Sequence, residues 1–535
     1  MNAPLVVVND LTNAVGNFDM NGKNITISGN WLMPDGTLVA GTNTVTFNGA
    51  GIQSLDAGGQ SFYNVTHSGS GTLKLVNASL GMAHDFNNIA GIFDLNAENV
   101  SIGGNWTISG GSYIPGTSTV TFNGAGTQVM DAANLTFYDL THSGSGTLKL
   151  ANALLTVTHR FSNAAGTFEL NGKSWQMTGA ILYNAGTVTL YGNEAISGLV
   201  QEAAAGTWHY LGDGVQHTYV LINCDYYNLV IDGTDPSLDI FQLPNALTVR
   251  HDLSILSGQL DSRSFDIHVG GQWNDQGSFN AGTGTVIFDG KDQAILGSST
   301  FYNLIKEVTQ PDTLILGAGQ TQVVRGDLTL HGSLSGELRL RSSIAGVQWA
   351  IDPQGERYTS FLDVQDGHNV SGSVINCLVD CVDSGNNNGF LIFGLSFDPF
   401  VNSSLNYFQA SGTGHMVPFN SLYRSALSNS FNSVDGSWNA ISTVTVNGTM
   451  TITNETYNAN GLTMASGSTY QASTATQIFN GYMYSSLEDF FRYEKKKNMY
   501  VWKNIPPVNS SGVPLPRPPV SIPGVPVAPV IPVHM

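Results

Sequence analysis

The chain repeats itself, and the repeat limits what it can fold into more than any other feature. Thr44-Val-Thr-Phe-Asn-Gly-Ala-Gly51 returns as residues 119–126, and Thr66-His-Ser-Gly-Ser-Gly-Thr-Leu-Lys-Leu75 returns as 141–150. Gly29-Asn30-Trp31 returns as Gly104-Asn105-Trp106, and Phe18-Asp-Met-Asn21 as Phe93-Asp-Leu-Asn96 and Phe168-Glu-Leu-Asn171. Each step is 75 residues. Phe62-Tyr-Asn-Val65, Phe137-Tyr-Asp-Leu140, Tyr226-Tyr-Asn-Leu229 and Phe301-Tyr-Asn-Leu304 extend the series, at steps of 75, 89 and 75. Gly271-Gln-Trp273 and Thr285-Val-Ile-Phe-Asp-Gly290 restate two of the motifs. Four units therefore span roughly residues 15–345, the third with about 14 extra residues near Gly206-Thr-Trp-His-Tyr210.

Inside a unit the pattern is short strands. Asn24-Ile-Thr-Ile-Ser28, Thr44-Val-Thr-Phe47 and Thr72-Leu-Lys-Leu75 alternate apolar with small polar residues, the period-2 signature of a half-buried strand. Gly, Asn, Asp and Ser recur between them and supply turns with positive φ. Charged residues are only 11%, as expected when one face of every strand looks into a shared core. Such units predict an all-β chain, a right-handed parallel β-helix in which each rung adds one strand to every face. Dividing a unit by three gives rungs of about 25 residues stacked about 4.8 Å apart. Equivalent residues would then lie over one another, with one ladder of Phe18, Phe93 and Phe168 and another of Trp31, Trp106 and Trp273. Residues 15–380 would make about 15 rungs and a rod on the order of 70 Å.

Units such as Phe93-Asp-Leu-Asn…Gly104-Asn-Trp106…Thr119-Val-Thr-Phe-Asn-Gly124 resemble the tandem β-helix repeats of bacterial surface adhesins, filamentous-haemagglutinin-like and autotransporter-passenger-like chains among them. They are also similar to rods in phage tail fibres and tail spikes. Tyr358-Thr-Ser-Phe-Leu-Asp-Val-Gln-Asp366 through Asp383-Ser-Gly-Asn-Asn-Asn-Gly389 resembles the module that often follows such repeats. The resemblance implies the fold and says little about function, because its motifs are turn and core residues. Met1 to Val8 lacks the basic start and the length of a secretory signal, and no C-terminal barrel is evident, which departs from the autotransporter pattern.

The organisation expected is a solenoid over 1–384 and an irregular β region over 385–480, with alternation returning from Ser442 to about Phe479. A short helix and connector follow over 481–504, then a Pro-rich arm over 505–535. Ser486 caps the helix, Leu487, Phe490 and Phe491 form its apolar face, and Lys495 to Lys497 suit the negative end of its dipole. It either caps the solenoid or docks on another chain. Residues 505–535 hold 10 of the 19 prolines and favour polyproline II, as a flexible tail or as an arm in a neighbour's groove.

The chemistry-bearing residues give no catalytic, cofactor or metal site. The formal charge of −19 argues against broad nucleic-acid binding, and no apolar run reaches the 18 or so residues of a membrane span. Candidate carboxylate pairs for glycoside chemistry are Asp261 with Asp266, Asp289 with Asp292 and Asp363 with Asp366. None has the spacing that puts both groups on one strand face. His67 with His142, and His84 with His159, repeat at 75 residues and would stand about 14 Å apart, too far to share one ion. Asp380-Cys-Val-Asp-Ser-Gly-Asn-Asn-Asn388 has the look of a calcium loop without its ligand spacing, and reads as a turn. The pairs Thr44/Thr46, Thr119/Thr121 and Thr187/Thr189 are too sparse for an ice-binding array, and sequons such as Asn24-Ile-Thr26, Asn105-Trp-Thr107 and Asn447-Gly-Thr449 arise readily by chance in this composition. Cys224, Cys377 and Cys381 read as plain buried thiols, because Cys377 and Cys381 on an extended strand would sit roughly 13 Å apart.

The expectation is a structural rod: a virion component such as a tail fibre, spike or surface fibre, sited on a virion or outside the cell. It would work as a homo-oligomer or beside other subunits of an assembly, docked through the C-terminal helix and arm, with a cell-surface glycan as candidate ligand. The alternatives are a bacterial or archaeal adhesin or filament subunit, and a polysaccharide lyase or hydrolase.

Overall fold

The computed structural model describes residues 3–392, except 132–133, 135, 153, 216, 334 and 378–380, and the backbone of further strands between 408 and 479. It is all-β and dominated by a parallel β-solenoid. Among the described residues no helix is long and apolar enough to cross a membrane. The helix expected near 486–497 and the Pro-rich arm lie outside the described residues. The chain separates into two compact units. The first is Met1–Lys306 with Thr313–Leu328 and Trp349–Glu356; the second is Glu307–Asp312, Thr329–Gln348 and Arg357–Met535.

In the first unit most turns contribute three strands; Thr136–His142 and Leu155–Asn163 are longer single strands, the second pairing with both Trp175–Met177 and Ile181–Asn184. Face 1 begins with Leu5–Val7, Ile25–Ile27, Thr44–Phe47, Asn64–His67, Phe86–Asn88 and Trp106–Ile108. Face 2 begins with Leu11–Thr12, Trp31–Leu32, Ile52–Asp56, Thr72–Leu75, Ile92–Asp94 and Ser112–Ile114. Ser61–Phe62, Leu80–Met82, Val100–Ile102 and Thr119–Phe122 lie on face 3. Every pairing along face 1 of this unit is parallel, from Leu5↔Ile25 to Ile295↔Leu316.

The register corrects the expected rung. Val45 stands over Ile25, Val65 over Val45, Phe86 over Val65 and Trp106 over Phe86. A turn is thus 20 or 21 residues over these strands; elsewhere it ranges from 18 at Thr285↔Asn303, through 24 at Trp106↔Met130 and Leu229↔Leu253, to 29 at Thr321↔Ala350. The 75-residue unit is therefore not three turns. Thr44–Phe47 and its copy Thr119–Phe122 are eleven strands apart, which is three and two-thirds turns, so the first lies on face 1 and the second on face 3. Thr72–Leu75 lies on face 2 and its copy Thr147–Leu150 on face 1.

The expected ladders are likewise dispersed. Phe93 is on face 2 and Phe168 on face 1, while Trp31 is on face 2 and Trp106 on face 1. The reason is physical: all three walls present apolar residues to one interior, so an inward Phe or Trp is accommodated on any of them. Phe86 and Trp106, on consecutive turns, have ring centroids 4.6 Å apart, and Trp31 meets Phe62 at 5.2 Å.

The repeated Phe-x-x-Asn motif is a corner. Asn21, Asn96 and Asn171 have φ of 48°, 48° and 53°, a region that Asn tolerates better than most residues. In the first two copies the Asp side chain two residues earlier accepts from the Asn amide, at 2.7 Å for Asp19 and 2.9 Å for Asp94. Between turns the staples are side-chain amides: Asn24 Oδ1 accepts from Thr44 N and Asn99 Oδ1 from Thr119 N.

In the second unit Leu338–Ser342 pairs in parallel with Leu362–Val364, and Ile375–Cys377 with Phe390–Ile392. Later strands pair in parallel too, with Phe431↔Met450↔Tyr470 and Trp438↔Tyr457↔Gln477. Cys377 and Cys381 form a disulfide with Cα atoms 5.9 Å apart. This corrects the expectation of free thiols. The strand ends at Cys377, so the extended spacing that kept the two apart does not apply. Cys224 is a free, half-buried thiol.

Candidate binding surface

The carboxylates considered for catalysis are engaged in holding turns. Asp266 Oδ1 accepts from Thr285 N at 2.8 Å, as Asn24 and Asn99 do in their copies. Asp261 accepts from Arg263 N and from the Gln242 and Asn280 side chains. Asp289 meets His268 Nδ1 at 2.9 Å, and Asp292 occupies a turn position with φ of 50°. Asp363 is paired with Arg341 and accepts from Ser384 Oγ, while Asp366 accepts from Gly346 N and Asn386 Nδ2. Glu337 is the one acid near that cluster whose pKa is displaced. Burial and then the Asp363 charge push it up, against Arg339 and Arg341.

The segment read as a turn rather than a calcium loop has Asp383 Oδ1 accepting from Gly385 N and from Asn387 Nδ2, while Asp380 lies outside the described residues. The sequon residues Asn24 and Asn105 each accept a backbone N–H from the next turn, and Asn447 is outside the described residues. Thr44/Thr46 and Thr119/Thr121 stand on different faces.

The repeated histidines fall into two classes. His67 and His142 are fully buried on different faces. Their Nδ1 atoms meet Asn88 Oδ1 at 2.9 Å and Asn163 Oδ1 at 2.8 Å. Burial lowers both pKa values, with the asparagine bond opposing, so both rings are neutral at pH 7. Being three and two-thirds turns apart, they are separated by about 18 Å along the axis rather than the expected 14 Å.

His84 and His159 point outward, and sequence reasoning missed their partners. His84 stacks on Tyr63 with centroids 5.1 Å apart and planes at 8°. His159 stacks on Tyr138 at 4.6 Å and 8°, and His251 on Tyr227 at 5.2 Å and 8°. About half of each imidazole is exposed, while the tyrosines are half-buried. A carboxylate flanks each ring: Asp85 at 3.0 Å, Asp139 at 2.7 Å and Asp252 at 3.2 Å. In the first and third copies an amide oxygen, from Asn64 or Asn228, also stands 3.2 Å from the imidazole. The tyrosine is the second residue of the repeated Phe-Tyr-Asn motif, and the histidine follows one turn later. That 21-residue offset, visible for Tyr63 with His84 and Tyr138 with His159, was the available signal. In the fourth copy Gly326 replaces the histidine above Tyr302.

Comparison of the chain with family models, with curated proteins and with solved structures gives no match.

Proposed function

We propose that this chain is a structural fibre protein, a virion component of the tail-fibre, spike or surface-fibre kind, that displays its outer surface and assembles with other subunits. The observation that carries the reading is the use of the polar residues in the first unit. Asn, Asp and Gln side chains staple turn to turn, and Gln53, Gln128 and Gln293 each reach two backbone carbonyls of a neighbouring turn. Such a stack resists bending and presents a long outer surface, which is what a spacer or display rod requires. The Cys377–Cys381 disulfide supports a location outside a reducing cytosol.

Mass spectrometry of purified virions should contain the chain, and deleting residues 505–535 should abolish its incorporation. Absence from virions with presence on cell surfaces would select an adhesin or filament subunit instead. Release of reducing sugar from host polysaccharide would select a polysaccharide-acting enzyme.

A further inference from the structure

We infer that the three Tyr–His corners, Tyr63 with His84, Tyr138 with His159 and Tyr227 with His251, are binding platforms for neutral pyranose sugars. The inference rests on the reading of the chain as a displayed surface, and it names the ligand class and the residues.

The corner closes without these rings. His84 N donates to Tyr63 O and His251 N to Tyr227 O, both at 2.9 Å, and Asn64 Oδ1 and Asn228 Oδ1 accept from Asp85 N and Asp252 N, so the turns are joined there by bonds that do not involve the imidazoles. Nor are the pairs segments of a continuing ladder. By the register, the position above each histidine is Gly104, Ala180 or Gly271. One face of each imidazole therefore rests on tyrosine, and the other looks over a residue with little or no side chain. A ring-sized flat surface, about half exposed, recurs three times with planes at 8° in every copy.

The surroundings specify the ligand. A pyranose carries a C–H face that packs on an aromatic face, and a rim of hydroxyls that donate and accept hydrogen bonds. Asp85, Asp139 and Asp252 place a carboxylate beside each platform, and Asn64 and Asn228 add an amide oxygen in two of them. Of these, Asp85 and Asp252, each 39% exposed, are open to accept from sugar hydroxyls; Asp139 is 11% exposed, and the two asparagine oxygens already accept from Asp85 N and Asp252 N. With a formal charge of −19 on the chain, uronic and sialic acids are repelled and neutral or N-acetylated sugars are favoured. The first two platforms are one 75-residue step apart, so they look out from different corners and engage separate glycan strands.

The test is calorimetric titration of the full chain with hexaoses of glucose, mannose, galactose and N-acetylglucosamine, and with hexagalacturonate. The wild type should bind at least one neutral hexaose and not hexagalacturonate. Combining His84→Ala, His159→Ala and His251→Ala should weaken that binding by about tenfold or more, while the same three changes to Phe should keep it within about threefold. Circular dichroism and melting of both triple variants should match the wild type, since the rings are outside the core. No binding of any neutral hexaose, preference for hexagalacturonate, or unchanged binding by the folded triple-Ala variant would each overturn the inference. Incorporation into virions separates this from the fibre reading. A triple-Ala variant that incorporates normally but has lost sugar affinity supports both. A wild type that binds sugar but never incorporates sinks the fibre reading alone.

Discussion

The second and fourth copies of the repeat share a parallel strand pattern and differ in what fills their polar interior. In the second, Gln128 Oε1 accepts from Gly124 N and His142 sits neutral against Asn163. In the fourth, the position of His142 is Lys306, fully buried, whose Nζ donates to Gln293 Oε1 at 2.8 Å and Gly290 O at 2.5 Å. Trp106 Nε1 has no hydrogen-bond partner, whereas its counterpart Trp273 donates to Ser299 Oγ, which in turn bonds Asp275. One template thus tolerates a neutral or a charged lining. The fold is carried by apolar inward residues and by Asn, Asp and Gly corners, and the interior polar groups vary around them.

The largest effect that sharpens this comparison is at the tryptophans. Trp106→Ala should cost about 3–5 kcal/mol, the usual range for emptying a buried aromatic site. Trp273→Ala should cost more, because it also removes the donor to Ser299. Hydrogen exchange at the adjoining turns would report both, and equal losses would erase the distinction between the copies.

Next comes Lys306→Ala, which leaves the buried Gln293 Oε1 and Gly290 O acceptors without this donor. A loss of roughly 2–3 kcal/mol is expected. His142→Ala should cost less than this, since no charge-assisted bond is broken; the reverse order would break the comparison.

The smallest effect is a difference of sign with pH. His67 and His142 have lowered pKa values, so the unfolded chain binds more protons than the folded one as pH drops below 6.5, and these turns lose stability there. Asp275 is pushed up by burial, with Ser299 and Gly277 N opposing. The folded form then binds the proton more readily, so this contribution improves as pH falls through its raised pKa toward the ordinary value of 3.8. Asp275→Asn should remove that acid-side gain, and His67→Gln with His142→Gln should flatten the loss below pH 6.5. Exchange protection measured turn by turn between pH 4 and 7 separates the two (about three pH units).

Strands, turns and their parallel stacking were legible in the sequence, because Thr44-Val-Thr-Phe47 and its copies alternate at period 2 and the repeat units lack apolar residues at helical spacing. The length of a turn was not. A 75-residue unit divides evenly by three, and nothing in the alternation marks how many strands complete a circuit. Gln53 was equally opaque. It lies inside at 1% exposure while its neighbour Ile52 is outside at 73%, the reverse of a polarity reading, because its amide bonds the backbone of the turn below. The Tyr–His corners escaped because the repeat drew attention to residues 75 apart, while their stacking partners are one turn away.

The incommensurate repeat is tested most directly by engineered disulfides in a chain with Cys224→Ser. Thr66 is the register partner of Thr46, so Thr46→Cys with Thr66→Cys should cross-link on mild oxidation. A turn of about 25 residues would instead set Thr46 beside Gly71. Efficient cross-linking of Thr46→Cys with Gly71→Cys, and none with Thr66→Cys, would contradict the account.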